Sequence, residues 1–124
     1  MRLGELQLRI LKVLWRSAPA TVSEVRDQLD GDELAYTTVA TMLRKMESRQ
    51  LVRHTAEGRK FHYHPLVTES EVSRNMSDDL VERLFEGSLT QAVTHLLQTR
   101  DIDDAELAEL ERLIQSRKQT EGRP

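Results

Sequence analysis

The strongest constraint on the fold is a single change of apolar period near residue 51. Upstream of it, apolar residues recur three times at helical spacing. The sets are Leu3, Leu6, Ile10, Val13 and Leu14; then Val22, Val25 and Leu29; then Val39, Met42, Leu43 and Met46. Downstream, Leu51-Val52-Arg53-His54-Thr55 and Lys60-Phe61-His62-Tyr63-His64 read as strands. In the second, Phe61 and Tyr63 share one face while Lys60, His62 and His64 share the other. Ala56-Glu57-Gly58-Arg59 lies between them as a hairpin turn, because Gly58 tolerates positive φ, and Pro65 closes the second strand. Helix, helix, helix, strand, turn, strand is the order of a winged helix-turn-helix, and an all-helical bundle lacks the hairpin.

Local signals set the boundaries. The first helix is expected over about 4–17, ended by Ala18-Pro19-Ala20. Thr21-Val22-Ser23-Glu24 is a capping-box pattern that starts the second helix, and Asp30-Gly31-Asp32 is a turn. The third helix is expected over about 36–50.

Beyond residue 67 the chain changes character. Thr68-Glu69-Ser70-Glu71 is a second capping box. It opens a helix carrying Val72, Met76, Leu80, Leu84 and Phe85 and ending at Gly87 as C-cap. Leu89, Val93, Leu96 and Leu97 mark a further helix. Asp103 or Asp104 caps the last, whose apolar residues are Leu107, Leu110, Leu113 and Ile114. The polar tail Gln115–Pro124 is expected to fray. Three amphipathic helices without a sheet close little core of their own, so these apolar residues are assigned to a homodimer interface. Folding back on the N-terminal half is the alternative. The resulting fold class is mainly α with a small β-hairpin wing. A winged helix-turn-helix DNA-binding domain spans 1–67 and a helical dimerisation region spans 68–124.

Composition narrows the function. The 124 residues contain no cysteine, which removes disulfides, thiolate metal sites and a cysteine nucleophile. No apolar run approaches the roughly 18 residues that a membrane span requires, and charges interrupt the N-terminal segment where a signal peptide would be apolar. The expectation is a cytoplasmic protein without membrane insertion. The net charge of −3 hides an asymmetry. Residues 1–67 hold 11 Lys/Arg against 8 Asp/Glu, whereas residues 68–124 hold 7 against 13. A local basic stripe, rather than the overall balance, is the footprint of a nucleic-acid partner.

That stripe is the outer side of the third helix. Thr37, Thr41, Arg44 and Ser48 lie opposite the apolar set, with Thr38 and Lys45 beside them and small Ala40 nearby. No carboxylate occurs between Leu34 and Met46, although solvated helix faces normally mix in charges of both signs. Short hydroxyl side chains allow close approach to base edges in a major groove, while Arg and Lys meet phosphate. Tyr36, at the helix start, can pack on sugar or donate to phosphate. Arg59 and Lys60, on the hairpin tip, can reach backbone or an adjacent groove. The rival class is a protein-interaction adaptor that uses the same fold as a docking surface.

The histidines carry little chemistry. His62 and His64 sit at i, i+2 on one strand face, but spacing supplies no third ligand, so no metal is assigned. His54 and His95 stand alone in the sequence. No catalytic constellation or phosphate-cradling glycine loop is present, so neither enzyme activity nor a cofactor is expected.

Several of these motifs together resemble the penicillinase repressor family of BlaI/MecI type. They are Tyr36-Thr37-Thr38-Val39, Leu43-x-x-Met46, Leu51-Val52 and Phe61-x-Tyr63-x-Pro65-Leu66-Val67. The opening Leu3-Gly4-Glu5-Leu6-x-x-x-Ile10-x-x-x-Leu14-Trp15 is similar to the family's first helix. The resemblance implies a winged-helix repressor that dimerises through C-terminal helices and binds a palindromic double-stranded DNA operator. It places Thr37, Thr38, Ala40 and Thr41 on bases, and Arg44 and Lys45 on or near phosphates. It further implies, for antibiotic-responsive members, a membrane sensor protease system and cleavage in the dimerisation region. By gapless alignment the family's Asn-Phe cleavage pair falls here on His95-Leu96, the candidate cleavage position; the departure from Asn-Phe does not exclude cleavage there. A copper-responsive branch uses a C-terminal cysteine motif, which this chain lacks.

Overall fold

A computed structural model describes residues 2–29 and 33–121. The described elements run α1 (Glu5–Ser17), α2 (Val22–Asp27), α3 (Tyr36–Ser48), β1 (Val52–Glu57), β2 (Lys60–Pro65), α4 (Glu69–Phe85), α5 (Leu89–Thr99) and α6 (Asp104–Glu121). This is the mainly helical chain with one antiparallel hairpin that the periods predict. The turn expected at Asp30-Gly31-Asp32 lies outside the described residues. The chain divides into two compact units, Met1–Asp79 and Leu80–Pro124.

The first unit is built on α1, α2, α3 and the hairpin. Ile10, Leu11 and Leu14 of α1 meet Val25 of α2 and Val39, Leu43 and Met46 of α3 in a core closed to solvent. Each such Leu or Ile contributes about 1.5–3 kcal/mol by leaving water. Met42, expected in the same stripe, is only half-buried. It lies at the edge of the apolar arc, where it borders Leu3, Gly4 and Leu6 in a shallow surface groove. Thr21 caps α2 as its sequence predicts: its hydroxyl accepts from the Glu24 amide at 3.2 Å, and the Glu24 carboxylate accepts from the Thr21 amide at 2.9 Å.

The third helix stops earlier than expected, at Ser48. Gln50 turns left-handed with φ 62°. Its amide donates to Glu47 O at 3.0 Å, and the Leu51 amide donates to Met46 O at 2.9 Å. This pair of bonds is a Schellman closure, with glutamine in the position that usually takes glycine. It delivers Leu51 and Val52 into the core and starts β1.

The strands pair from Val52↔Pro65 to Glu57↔Lys60, so they run past the expected end at Thr55. The turn is reduced to Gly58-Arg59, with Gly58 at φ 62°. Ala20 forms an isolated bridge with Tyr63, the Tyr63 amide donating to Ala20 O at 2.8 Å. The hairpin is thereby fastened to the α1–α2 connection, and the Tyr63 ring is buried in the core.

The sequence changes character at 67/68, but the first compact unit continues to Asp79. Val72 is buried in its core and Met76 packs partly against it. The first turns of α4 therefore belong with the winged helix. Thr68 caps them, its hydroxyl accepting from the Glu71 amide at 3.1 Å.

In the second unit, Glu86 (φ 51°) and Gly87 (φ 83°) both end α4 in left-handed backbone. Ser88 caps α5 through the Gln91 amide, and Asp103 caps α6 through the Glu106 amide at 2.8 Å. The segment from Gln115, expected to fray, is helical as far as Glu121. The segment is polar, but Gln, Arg, Lys and Glu are strong helix formers, so polarity did not mean loss of helix. Residues 122–124 of the expected tail lie outside the described residues. No described helix is long and apolar enough to cross a membrane.

Candidate nucleic-acid interface

The third helix presents two distinct sides. Val39, Leu43 and Met46 are sealed in the core, while Thr37, Thr38, Thr41, Arg44 and Lys45 are exposed. Ala40 is half-buried at the border. Arg44 Nη2 donates to the Thr41 hydroxyl at 3.3 Å, and the Ser48 hydroxyl donates to the Arg44 carbonyl at 3.2 Å. These are weak, exposed bonds that a stronger acceptor such as phosphate can replace.

One flank of this helix faces the hairpin across a cleft of about 360 Å³. Tyr36, Ala40 and Arg44 line it from α3, and Arg59, Lys60 and Phe61 line it from the wing. The structure thus brings together five of the residues singled out in the sequence: Tyr36, Ala40, Arg44, Arg59 and Lys60. Thr37, Thr38, Thr41 and Lys45 are not in the cleft; they lie on the outer part of the helix. The opening combines three cations with two half-exposed aromatic rings, Tyr36 at 48% and Phe61 at 46%. A polyanion with flat, partly apolar units matches that mixture.

Besides the buried Val22 and Tyr63, three cleft residues were not assigned to the site from the sequence: Thr21, Ser23 and Phe61. Thr21 was read only as a helix cap. Phe61 was read as sharing a face with Tyr63, which it does, but it sits two residues nearer the hairpin tip, beyond the cover of the helices. No local pattern signals that difference.

The histidines also differ from expectation. His54, expected to stand alone, has its Nδ1 at 2.7 and 2.8 Å from the two oxygens of Glu47, a geometry in which the ring N–H donates to the carboxylate. Its ring stacks on Phe61 with centroids 4.1 Å apart and planes 21° apart. His95 is not alone either; its ring lies 5.7 Å from that of Phe85. His62 Nε2 is 3.5 Å from Glu57. Burial, helped by the nearby charges of Arg53 and His62, holds the His64 imidazole below its ordinary pKa. Among the described residues no group of three or more His, Asp or Glu side chains is placed to hold a metal ion.

Arg49 shows why basic composition alone misleads. It belongs to the same cationic stretch as Arg44 and Lys45. Yet its guanidinium donates to Gln7 Oε1 at 3.0 Å and to the Arg2 carbonyl at 2.6 Å. It tethers the start of the chain to the end of α3.

The residues assigned to dimerisation all lie on α4, α5 and α6 or at their ends. Leu80, Leu84, Leu89, Val93, Leu96 and Leu97 are exposed, Leu84 to 68%, and Phe85 is half-buried against His95. Leu107, Leu110, Leu113 and Ile114 are exposed on α6. Within this unit an apolar groove of about 530 Å³ runs between α5 and α6. Val93 and Leu97 form one side, Leu107, Leu110 and Ile114 the other, and Glu111, Arg117 and Lys118 rim it. The segment thus exposes much apolar surface for its length.

Comparison with known proteins gives the family and the fold. The sequence profile of a family described as "Penicillinase repressor" matches residues 3–116. The chain is 35% identical over 118 residues to "Transcriptional regulator BlaI" of Mycobacterium tuberculosis, covering 89% of this chain and 86% of that one. It is 25% identical over 118 residues to the "Penicillinase repressor" of Bacillus licheniformis, covering 94% and 92%. Among solved structures, the DNA binding domain of the repressor BlaI superposes with a TM-score of 0.51 at 28% identity, over 56% of this chain and 87% of that one.

Proposed function

The chain belongs to the penicillinase repressor family, and on that premise we propose that it is a homodimeric transcriptional repressor. Each protomer lays α3 in the major groove of a palindromic operator and sets its hairpin wing against the adjacent backbone. Thr37, Thr38, Ala40 and Thr41 face bases. Tyr36, Arg44, Lys45, Arg59 and Lys60 hold sugar and phosphate. The observation that carries this reading is the carboxylate-free outer face of α3 opening onto a cleft with Arg44, Arg59 and Lys60 around it. The resemblance to a repressor's DNA binding domain supports the coarser reading, that this unit binds DNA.

Dimerisation follows from the energetics of so small a head. One winged domain makes few phosphate contacts, and its non-specific binding should lie at about 10⁻⁴ to 10⁻⁶ M at physiological salt. Joining two heads makes the second contact intramolecular and raises the overall affinity about 10²–10⁴-fold. The exposed apolar faces of the unit Leu80–Pro124 supply the joint. Any event that separates the protomers then releases the operator. Proteolysis in the dimerisation region, triggered by a membrane sensor protease system, is such an event. His95-Leu96, the position that the family's cleavage pair takes here, lies inside α5. A protease must open that helix before it can cut there.

The test is a titration of the purified protein against labelled DNA from its own upstream region, with random DNA as control, at two salt concentrations. Preferential binding of one dimer per palindrome is expected. Equal affinity for both DNAs, or no binding at low salt, refutes the proposal.

A further inference from the structure

We propose that His54 is a positioning residue that sets the wing against the recognition helix for DNA binding, an inference that rests on the function proposed above. Glu47 is the sole carboxylate of α3 and stands near its C-terminal end, where the helix dipole disfavours negative charge. Its carboxylate lies 2.7 Å from His54 Nδ1, and both side chains are 32% exposed. His54 belongs to β1, and its ring carries the ring of Phe61 from β2. His54 faces Tyr63 across the ladder, so Phe61 is its diagonal neighbour toward the hairpin tip. Tyr63 adds a tilted contact at 5.8 Å.

These contacts form one chain, from the end of the recognition helix through His54 to Phe61. Phe61 lines the cleft directly beside Arg59 and Lys60. A two-stranded hairpin is marginal in isolation, so the angle of its tip must be set by contacts to the rest of the head. The Glu47 carboxylate fixes the plane of the imidazole, and the imidazole face buttresses Phe61. His54 does not line the cleft itself. It acts through Phe61 and the cations next to it, holding them at the distance from Arg44 that one DNA backbone requires.

The test uses the full-length protein, with 4-fluorophenylalanine placed at position 61 alone by site-specific incorporation, so that a phenylalanine at position 54 stays unlabelled. Wild type, His54→Ala and His54→Phe are compared by ¹⁹F NMR and by DNA titration over a range of salt. His54→Ala removes the buttress. It is expected to move the Phe61 resonance, to reduce the salt slope by about one phosphate contact, and to weaken operator and random DNA by a similar factor, about ten-fold. His54→Phe keeps a ring on Phe61 but loses the hydrogen bond to Glu47, so its resonance position and salt slope should lie between those of wild type and His54→Ala. If His54→Ala binds with unchanged slope while wild type binds DNA normally, the positioning role is wrong and the proposed function stands. If His54→Phe binds as poorly as His54→Ala, ring packing is not the cause and the proposal is overturned. If wild type itself fails to bind DNA, the proposed function fails, and this inference fails with it. Should the alanine variant not fold, His54→Leu, which fills the space without a ring or a donor, takes its place, and an unchanged salt slope in that variant overturns the proposal.

Discussion

The indole N–H of Trp15 donates to the carbonyl of Val67 at 2.9 Å, across 52 residues of sequence. It ties the end of α1 to the segment that leads into α4. The Leu66 amide donates to Leu51 O at 2.9 Å in the same connection. The exit from the wing is therefore held at two points before α4 begins. Trp15→Phe keeps most of the apolar contact but leaves the Val67 carbonyl without this donor. Urea unfolding should show a loss of about 1–2 kcal/mol, and a change below ~0.3 kcal/mol would mean that water replaces the indole fully.

Gln50 occupies left-handed backbone at the end of α3 with its side chain exposed. An L-residue there costs about 1–2 kcal/mol relative to glycine, offset in part by the extra chain entropy of glycine when unfolded. Gln50→Gly should stabilise the fold by about 0.5–1 kcal/mol in thermal or urea denaturation. A destabilised variant would assign Gln50 a side-chain contact that offsets its backbone strain.

The capping box at Thr21 makes a prediction with a pH sign. The Thr21 backbone amide, and then its hydroxyl, hold the Glu24 carboxyl below its ordinary pKa. A depressed carboxyl contributes stability above its unfolded pKa and loses it as pH falls through the folded value. Thr21→Ala should therefore raise the Glu24 pKa toward the ordinary glutamate range in an NMR titration. It should also flatten the acid-side decline of stability. Near neutral pH the loss of the cap should cost about 1 kcal/mol. An unmoved Glu24 pKa would mean that the Thr21 backbone amide, which the substitution keeps, holds the carboxyl down without the hydroxyl.

Helix and wing should separate in DNA binding. Thr38→Ala removes a hydroxyl from the outer face of α3 and should change the preference among operator variants, at about 1–3 kcal/mol for the affected base pair. Arg59→Ala should weaken all sequences alike and reduce the salt slope by about one. Competition titrations on a panel of operators distinguish the two. Identical behaviour of both variants would remove the division of labour.

Leu84 and Leu110 are both exposed apolar residues of the second unit. In a homodimer, Leu84→Asp or Leu110→Asp buries an unpaired carboxylate at the interface and should shift sedimentation toward monomer. Operator affinity should fall along with it, while the reading head keeps its fold by circular dichroism. Full-strength binding by a variant proven monomeric would break the link between dimerisation and operator affinity.

Much of the fold was legible because its determinants are local. The capping boxes at Thr21 and Thr68 are spelled out within four residues, and both form. The stripe Val39, Leu43, Met46 and the alternation around Tyr63 identify elements by period alone. Boundaries were less legible. Strong helix formers carried α6 past the point where apolar residues stop, and a Schellman closure at Gln50 ended α3 two residues short of its expected bound. In the interface, the exposed face of α3 and the cations of the wing could be named from residue type and position.

The sequence by itself determined which elements form, which face of each is apolar, and that the basic stretch falls on the third helix and the hairpin tip. Helical and strand periods act over two to four residues, so they are written into any short window. Only the tertiary structure decided what each charge and ring does. Arg49 became a tether for Gln7 and Arg2, His54 joined Glu47 to Phe61, and Phe61 emerged beside Arg59 while Tyr63 was sealed in the core. Those outcomes depend on which residues meet through packing, across seven residues for His54 and Glu47 and 42 for Arg49 and Gln7. A period cannot encode a meeting at such separations; the shape of the closed core does.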